Sequence, residues 1–259
     1  MPLLARPDGV DLHWEATGEG PGVLICNTFN LATLDGLVAL LAESRRVVLY
    51  HPRGVGQSSR QGPYDLGTGV EDIEALLEEA GPVEVALGLG DGAHRAIRIA
   101  DARPDLADRV VFTSTALGRP GDADAPGFSG STEVLYALMG LMRRDYRSGL
   151  RQMMSGSAGG DEDFERERAE EVAGIVSQEA AVGYLEAWIS AGSVDVARRL
   201  GSRLTVLAYP GNAWFPLETY ESMRDGLTEA CFELVEDGPM SRPDLAAQVL
   251  LRVSEPATG

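Results

Sequence analysis

The stretch Val83-Glu84-Val85-Ala86-Leu87-Gly88-Leu89-Gly90-Asp91-Gly92-Ala93-His94 decides how the chain is read. A β-type apolar run over 83–87 meets a turn built on Gly88, Gly90 and Gly92. A helical pattern then runs from Ala93 to Ala102, where Arg103-Pro104 stops it. The same alternation extends to both sides. Upstream, Val23-Leu24-Ile25-Cys26 and Val47-Val48-Leu49-Tyr50 read as strands joined by a helix carrying Leu34, Leu37, Val38, Leu40 and Leu41. Val70, Ile73, Leu76 and Leu77 form the apolar stripe of a helix ended by Gly81-Pro82, and Val110-Val111-Phe112 starts the next strand. Strands alternating with helices predict an α/β protein with a mostly parallel sheet, helices on both faces and right-handed connections.

The rhythm breaks over 120–200. A Gly/Pro/Asp loop leads into helical stretches at 132–154, 164–176 and 178–189 without a strand. This predicts a helical lid, 120–200, inserted into one core made of 1–119 and 201–259. The alternation resumes with a strand over 204–208, a helix near 217–227, a strand over 231–235 and a closing helix over 244–253.

Of the 259 residues 44% are hydrophobic and 24% charged, as in an ordinary globular domain. The net charge of -18 repels phosphate backbones and anionic lipids, so neither nucleic acid nor a membrane is an expected partner. All 22 basic residues are arginine, which excludes lysine Schiff-base and P-loop chemistry. Cys26 and Cys231 lie in strand-like segments without CxxC spacing and are expected to be buried free thiols. The start of the chain lacks a signal-like pattern and no apolar run approaches spanning length, so a cytoplasmic protein is expected. No two histidines or cysteines have metal-ligand spacing, and Asp161-Glu162-Asp163 reads as a capped helix start. Gly54-Val55-Gly56 and Gly88-Leu89-Gly90 lack the third glycine of a dinucleotide loop, so neither metal nor cofactor is expected.

Tyr50-His51-Pro52-Arg53-Gly54-Val55-Gly56-Gln57-Ser58 is similar to the Asp-x-Arg-Gly-x-Gly-x-Ser loop of the α/β-hydrolase superfamily, with His51 where the family usually has Asp. The order of elements resembles that superfamily over nearly the whole chain, and the turn at 88–92 sits where its nucleophile elbow, G-x-S-x-G, belongs. The resemblance implies the α/β-hydrolase fold. It places Gly90 at the nucleophile position, Trp214 of Pro210-Gly211-Asn212-Ala213-Trp214-Phe215-Pro216 at the acid, and Pro239 of Asp237-Gly238-Pro239 at the histidine. All three triad positions read as replaced. Independently of any alignment, the chain's three histidines are His13, His51 and His94, so none follows the last strand where the family's base lies. The resemblance gives His51 a structural role.

Asp91 and His94 stand at i, i+3 spacing on the first turn of a helix, close enough to form an acid–base pair. The competing reading makes Asp91 a carboxylate favoured by the helix dipole and His94 structural. Asn27-Thr28-Phe29 falls where the family carries an oxyanion donor, which implies backbone N–H groups of Phe29 and Asp91 facing a pocket. Trp214 reads as a stacking platform for a flat apolar ligand or as a loop tryptophan packed on the lid. Tyr136, Met139, Met142, Met153 and Met154, with Leu135 and Leu138, form either an adaptable pocket lining or the packing face of the lid. The expected ligand contacts are Asn27, Thr28, Phe29, Gly90, Asp91, Tyr136, Met139 and Trp214.

Three functions remain open at this point. The first is a non-hydrolytic protein binding a small apolar molecule, with a cyclisation or isomerisation in specialised metabolism as the reaction such a pocket could promote. The second is an unorthodox hydrolase or lyase built on Asp91 and His94. The third is a pseudoenzyme acting as an interaction protein, for instance as a homodimer.

Overall fold

The computed structural model describes residues 2–119, 132–155, 162–212 and 214–253. Its strands are β1 (Leu3–Ala5), β2 (Asp11–Thr17), β3 (Gly22–Cys26), β4 (Arg46–Tyr50), β5 (Val83–Leu89), β6 (Ala107–Thr113), β7 (Leu204–Ala208) and β8 (Cys231–Leu234). They form one 8-stranded sheet in the order β1-β2-β4-β3-β5-β6-β7-β8. β1, β2 and β4 pair antiparallel and all the other neighbours are parallel. The central strands alternate between two cores, as the two-residue period of a strand requires. Val23, Ile25, Val85 and Leu87 face α1 (Asp35–Ala42) and α10 (Pro243–Val253), whereas Leu24, Cys26 and Ala86 face α2 (Leu66–Ala80) and α3 (Gly92–Ala102).

Between β6 and β7 the chain carries α4 (Thr132–Arg144), α5 (Tyr146–Ser155), α6 (Glu162–Ile175), α7 (Gln178–Ser190) and α8 (Val194–Leu200). The single helical stretch expected over 132–154 is two helices. Asp145 accepts hydrogen bonds from the Ser148 N–H at 3.1 Å and its hydroxyl at 2.6 Å, a local arrangement that starts a new helix. α4 to α7 build their own apolar cluster, in which Met139, Met142, Leu150 and Leu185 are buried. α8 instead places Ala197 and Leu200 in the sheet core, as does α9 (Leu217–Gly226) with Tyr220 and Met223. The loop expected from 120 and the cap expected of Asp161 lie outside the described residues.

Cys26 is buried among apolar side chains, and burial pushes its thiol up to about 12. Cys231, expected to be buried, is exposed, because β8 is the edge strand and only partly covered. Arg53 ties the loop after β4 to the body: its guanidinium grips the Asp72 carboxylate at 2.7 and 2.9 Å and pairs with Asp8, while its carbonyl accepts from the Tyr184 hydroxyl of α7 at 3.1 Å. His51 accepts from the Gln57 N–H at 3.0 Å and stacks against His13 with ring centroids 4.5 Å apart. No described helix is long and apolar enough to cross a membrane.

Candidate functional site

The parallel strands end on one side of the sheet, and the segments leaving them converge on a cavity of about 710 Å³. Phe29 follows β3, Gly90 and Asp91 follow β5, Ser114 follows β6, Tyr209 and Asn212 follow β7, and Asp237 and Pro239 follow β8. The C-terminal edge of a parallel sheet is where such folds place ligands, since the loops there are free to vary over a rigid floor. Leu135, Leu138, Met153, Met154, Leu185 and Trp188 of α4, α5 and α7 close the cavity from the opposite side.

The turn after β5 shows why its glycines are there. A Cβ on Gly88 would lie 2.4 Å from Ala93 Cα, and one on Gly92 would lie 2.0 Å from the Cys26 carbonyl oxygen. Gly90 is different. Its φ of 56° lies in the left-handed region, but a Cβ there would meet nothing nearer than 3.8 Å. The side chain of residue 90 would project into the cavity, and there is none. Trp214 and Pro239 also line the cavity wall. The Trp214 indole N–H donates to the Met153 carbonyl at 3.1 Å, which anchors the ring against α5.

Asp91 lines the cavity, but its carboxylate is committed. Its Oδ2 accepts from the Arg95 Nη2 at 2.8 Å and from the Thr28 hydroxyl at 2.6 Å, and Arg95 also donates to Thr28 Oγ1 at 2.9 Å. Burial pushes the Asp91 carboxyl up, with Arg95 and then Thr28 opposing it. His94 faces elsewhere. Its Nδ1 lies 2.8 Å from Ser193 Oγ and its Nε2 3.4 Å from Thr115 Oγ1, and Thr115 in turn accepts from the Trp188 indole at 2.7 Å. No hydrogen bond joins Asp91 and His94. Ser193 and His94 make a serine–histidine contact, but both are fully buried and neither lines the cavity. The chain His94–Thr115–Trp188 holds the Trp188 ring over Gly90, at 4.0 Å from the place a Cβ would occupy.

Of the other expected contacts, Phe29 lines the cavity. Asn27 and Thr28 are buried behind it, Asn27 Oδ1 accepting from the Asn30 N–H at 3.3 Å. Met139 is buried within the helical cluster and does not reach the cavity. Tyr136 is a correction: it is 55% exposed, because the α4 face that carries Leu135 and Leu138 inward turns position 136 outward. Sequence reasoning missed Ser114, Arg168, Trp188, Tyr209 and Asn212, all in the cavity wall. The ends of β6 and β7 were the available signal for Ser114, Tyr209 and Asn212. Among the described residues no group of three or more His, Cys, Asp or Glu could hold a metal ion.

Burial lowers the His94 imidazole to about 3, and burial together with His13 lowers His51 to about 4, from an ordinary value of 6.5. Between those values and 6.5 the unfolded chain binds more protons than the folded one, so stability is full above 6.5 and falls as pH drops toward the folded pKa. His94 is expected to withdraw about 2 kcal/mol by about pH 5, at about 1.4 kcal/mol per unit, and the partly solvated His51 less. Urea midpoints measured from pH 8 to pH 5 should be flat and then decline, with His94→Gln removing part of the slope. A profile level down to pH 5 would contradict this account of the two rings.

No protein-family model matches the chain. Over 127 residues, 44% of its length, it is 35% identical to a protein described as "Probable oxidoreductase EphD" from Mycobacterium tuberculosis (strain ATCC 25618 / H37Rv), and equally to its counterpart from Mycobacterium bovis. The match covers 21% of each of those proteins, so the chain spans about a fifth of the length of the curated relatives it matches. Among solved structures it superposes on an esterase from Exiguobacterium antarcticum with a TM-score of 0.83 and 16% identity, covering 97% of this chain and 98% of the other. For a bromoperoxidase from Bacillus anthracis the TM-score is 0.81 at 19% identity, with 94% and 95% covered. For an alpha/beta hydrolase from Sphaerobacter thermophilus DSM 20745 it is 0.70 at 21% identity, with 98% and 100% covered. The chain has the α/β-hydrolase fold.

Proposed function

We propose that this chain is a non-hydrolytic protein of α/β-hydrolase fold that binds a small, largely apolar molecule in the cavity between the sheet edge and α4 to α7. One observation carries the reading: none of the chain's three histidines lines the cavity, and Gly90, Trp214 and Pro239, which the family resemblance puts at the nucleophile, acid and histidine positions, stand in its wall. Ester hydrolysis on this fold needs a base within reach of the nucleophile, and the His94 ring is buried outside the cavity, hydrogen-bonded to Ser193, and made a weak base by the burial that lowers it to about 3. The cavity is lined by Phe29, Leu89, Leu138, Leu185, Trp188 and Phe215, an environment that favours transfer of an apolar molecule from water. Any reaction promoted there would come from enforced shape and hydrogen bonding, as in a cyclisation or isomerisation, rather than from an acyl-enzyme.

Thermal-shift titration against a panel of apolar metabolites tests the binding. Saturable stabilisation is expected, about 2.7 kcal/mol at a ligand concentration of 100 Kd. Gly90→Ser tests the chemistry. The 3.8 Å of clearance at Gly90 admits the hydroxymethyl group, yet the variant is expected to show no turnover of simple aryl esters above the background rate, because no imidazole is in place to activate it. Serine-dependent turnover in that variant would overturn the reading.

A further inference from the structure

The residue after β6, Ser114, has a φ of 57°, a left-handed conformation that a side chain other than glycine adopts at a cost in strain. It is held there by its own N–H, which donates to the Tyr220 hydroxyl at 3.1 Å. The consequence is that Ser114 Oγ meets the Tyr209 hydroxyl at 2.9 Å in the cavity wall. The Asn212 side-chain amide donates to both oxygens, at 3.3 Å to Ser114 and 3.1 Å to Tyr209. Which end of that amide faces them is fixed, because Asn212 Oδ1 accepts the N–H groups of Trp214 and Phe215, each at 3.1 Å. Gly238 makes room for the phenol: a Cβ there would lie 2.7 Å from the Tyr209 ring.

The protons of this cluster do not cancel. Both hydroxyl oxygens accept from Asn212, and the Ser114 side chain also bonds the Tyr220 hydroxyl; with Tyr220 donating to Ser114 and Ser114 donating to Tyr209, the Tyr209 hydroxyl keeps a proton to donate into the cavity. A half-buried donor in the wall of a largely apolar cavity is best matched by an acceptor on the molecule that fills it. The charges around it select which. Asp237 lies close enough to Tyr209 to add to the effect of burial in raising the phenol above its ordinary value, so Tyr209 stays protonated and a second negative charge is unwelcome beside it. Arg168, also in the cavity wall, is paired with Glu171.

We infer that Ser114, Tyr209 and Asn212 form a hydrogen-bonding site for an uncharged acceptor oxygen, so that the apolar molecule held in the cavity carries a carbonyl group. The site lies beside the vacated elbow, the Ser114 carbonyl being 3.8 Å from where a Cβ of residue 90 would stand. It rests on the cavity-binding reading above and adds to it the chemical class of the ligand.

Benzophenone and diphenylmethane, which differ by the carbonyl alone, test it when titrated into the full chain by equilibrium dialysis. Benzophenone is expected to bind about tenfold tighter, the effect of one buried hydrogen bond. The double variant Ser114→Ala/Tyr209→Phe is expected to abolish the difference in affinity between the two compounds. Equal binding of the two compounds by the native chain would overturn this site and leave the apolar cavity standing, and that comparison needs no variant to fold. A preference that survives in the folded double variant would also overturn it. Failure of both compounds to bind would remove the cavity reading and this site together.

Discussion

Replacing Asp91 with alanine is expected to lower the free energy of unfolding by about 3–5 kcal/mol, read from urea denaturation at neutral pH. The Arg95 side chain is 2% exposed, and its Nε and Nη1 have no hydrogen-bond partner among the described residues. Its charge is compensated by the Asp91 carboxylate at 2.8 Å, by Thr28, and by the face of the Tyr184 ring 5.1 Å away. Removing Asp91 leaves a guanidinium buried without its counter-ion, which costs far more than the pair contributes. Asp91→Ala/Arg95→Met is therefore expected to recover most of the loss, because it removes the stranded charge and keeps the volume filled. A change under about 1 kcal/mol in the single variant would show that the ion pair does not hold this corner of the fold.

Alanine substitutions through the elbow should separate as sharply. Gly92→Ala is expected to cost at least about 3 kcal/mol, because its Cβ would stand 2.0 Å from the Cys26 carbonyl oxygen and 2.9 Å from the Asn27 nitrogen, both backbone atoms of β3 and its exit. Gly90→Ala should cost only about 1–2 kcal/mol, the strain of a left-handed alanine, since nothing crowds it. Denaturation midpoints of the two variants provide the comparison. Equal losses would mean that the turn is not centred on Gly90.

The sheet was legible because its central strands are short apolar runs bounded by glycine and proline, as at Val83 to Leu87 before Gly88. The hairpin of β1 and β2 was legible in principle, through the alternation of Leu12, Trp14 and Ala16 with polar neighbours, but no element was expected there. The tight turn after β5 was visible as Gly90 between Gly88 and Gly92. The partner of Asp91 was not. Spacing alone allows Asp91 to meet His94 or Arg95, and the charge-assisted bond to a guanidinium wins over one to a neutral, buried imidazole. Ser114, Tyr209 and Asn212 come together from two strand ends 95 and 98 positions apart, so no local pattern announces them.

The most direct test of a binding cavity without hydrolysis is native mass spectrometry of the purified chain incubated with simple aryl esters, with release of the phenol followed in the same samples. The account predicts an unmodified chain carrying intact ester, saturating with concentration, and no phenol beyond the uncatalysed rate. A covalent acyl adduct on the chain, or phenol released at many turnovers per chain, would contradict it.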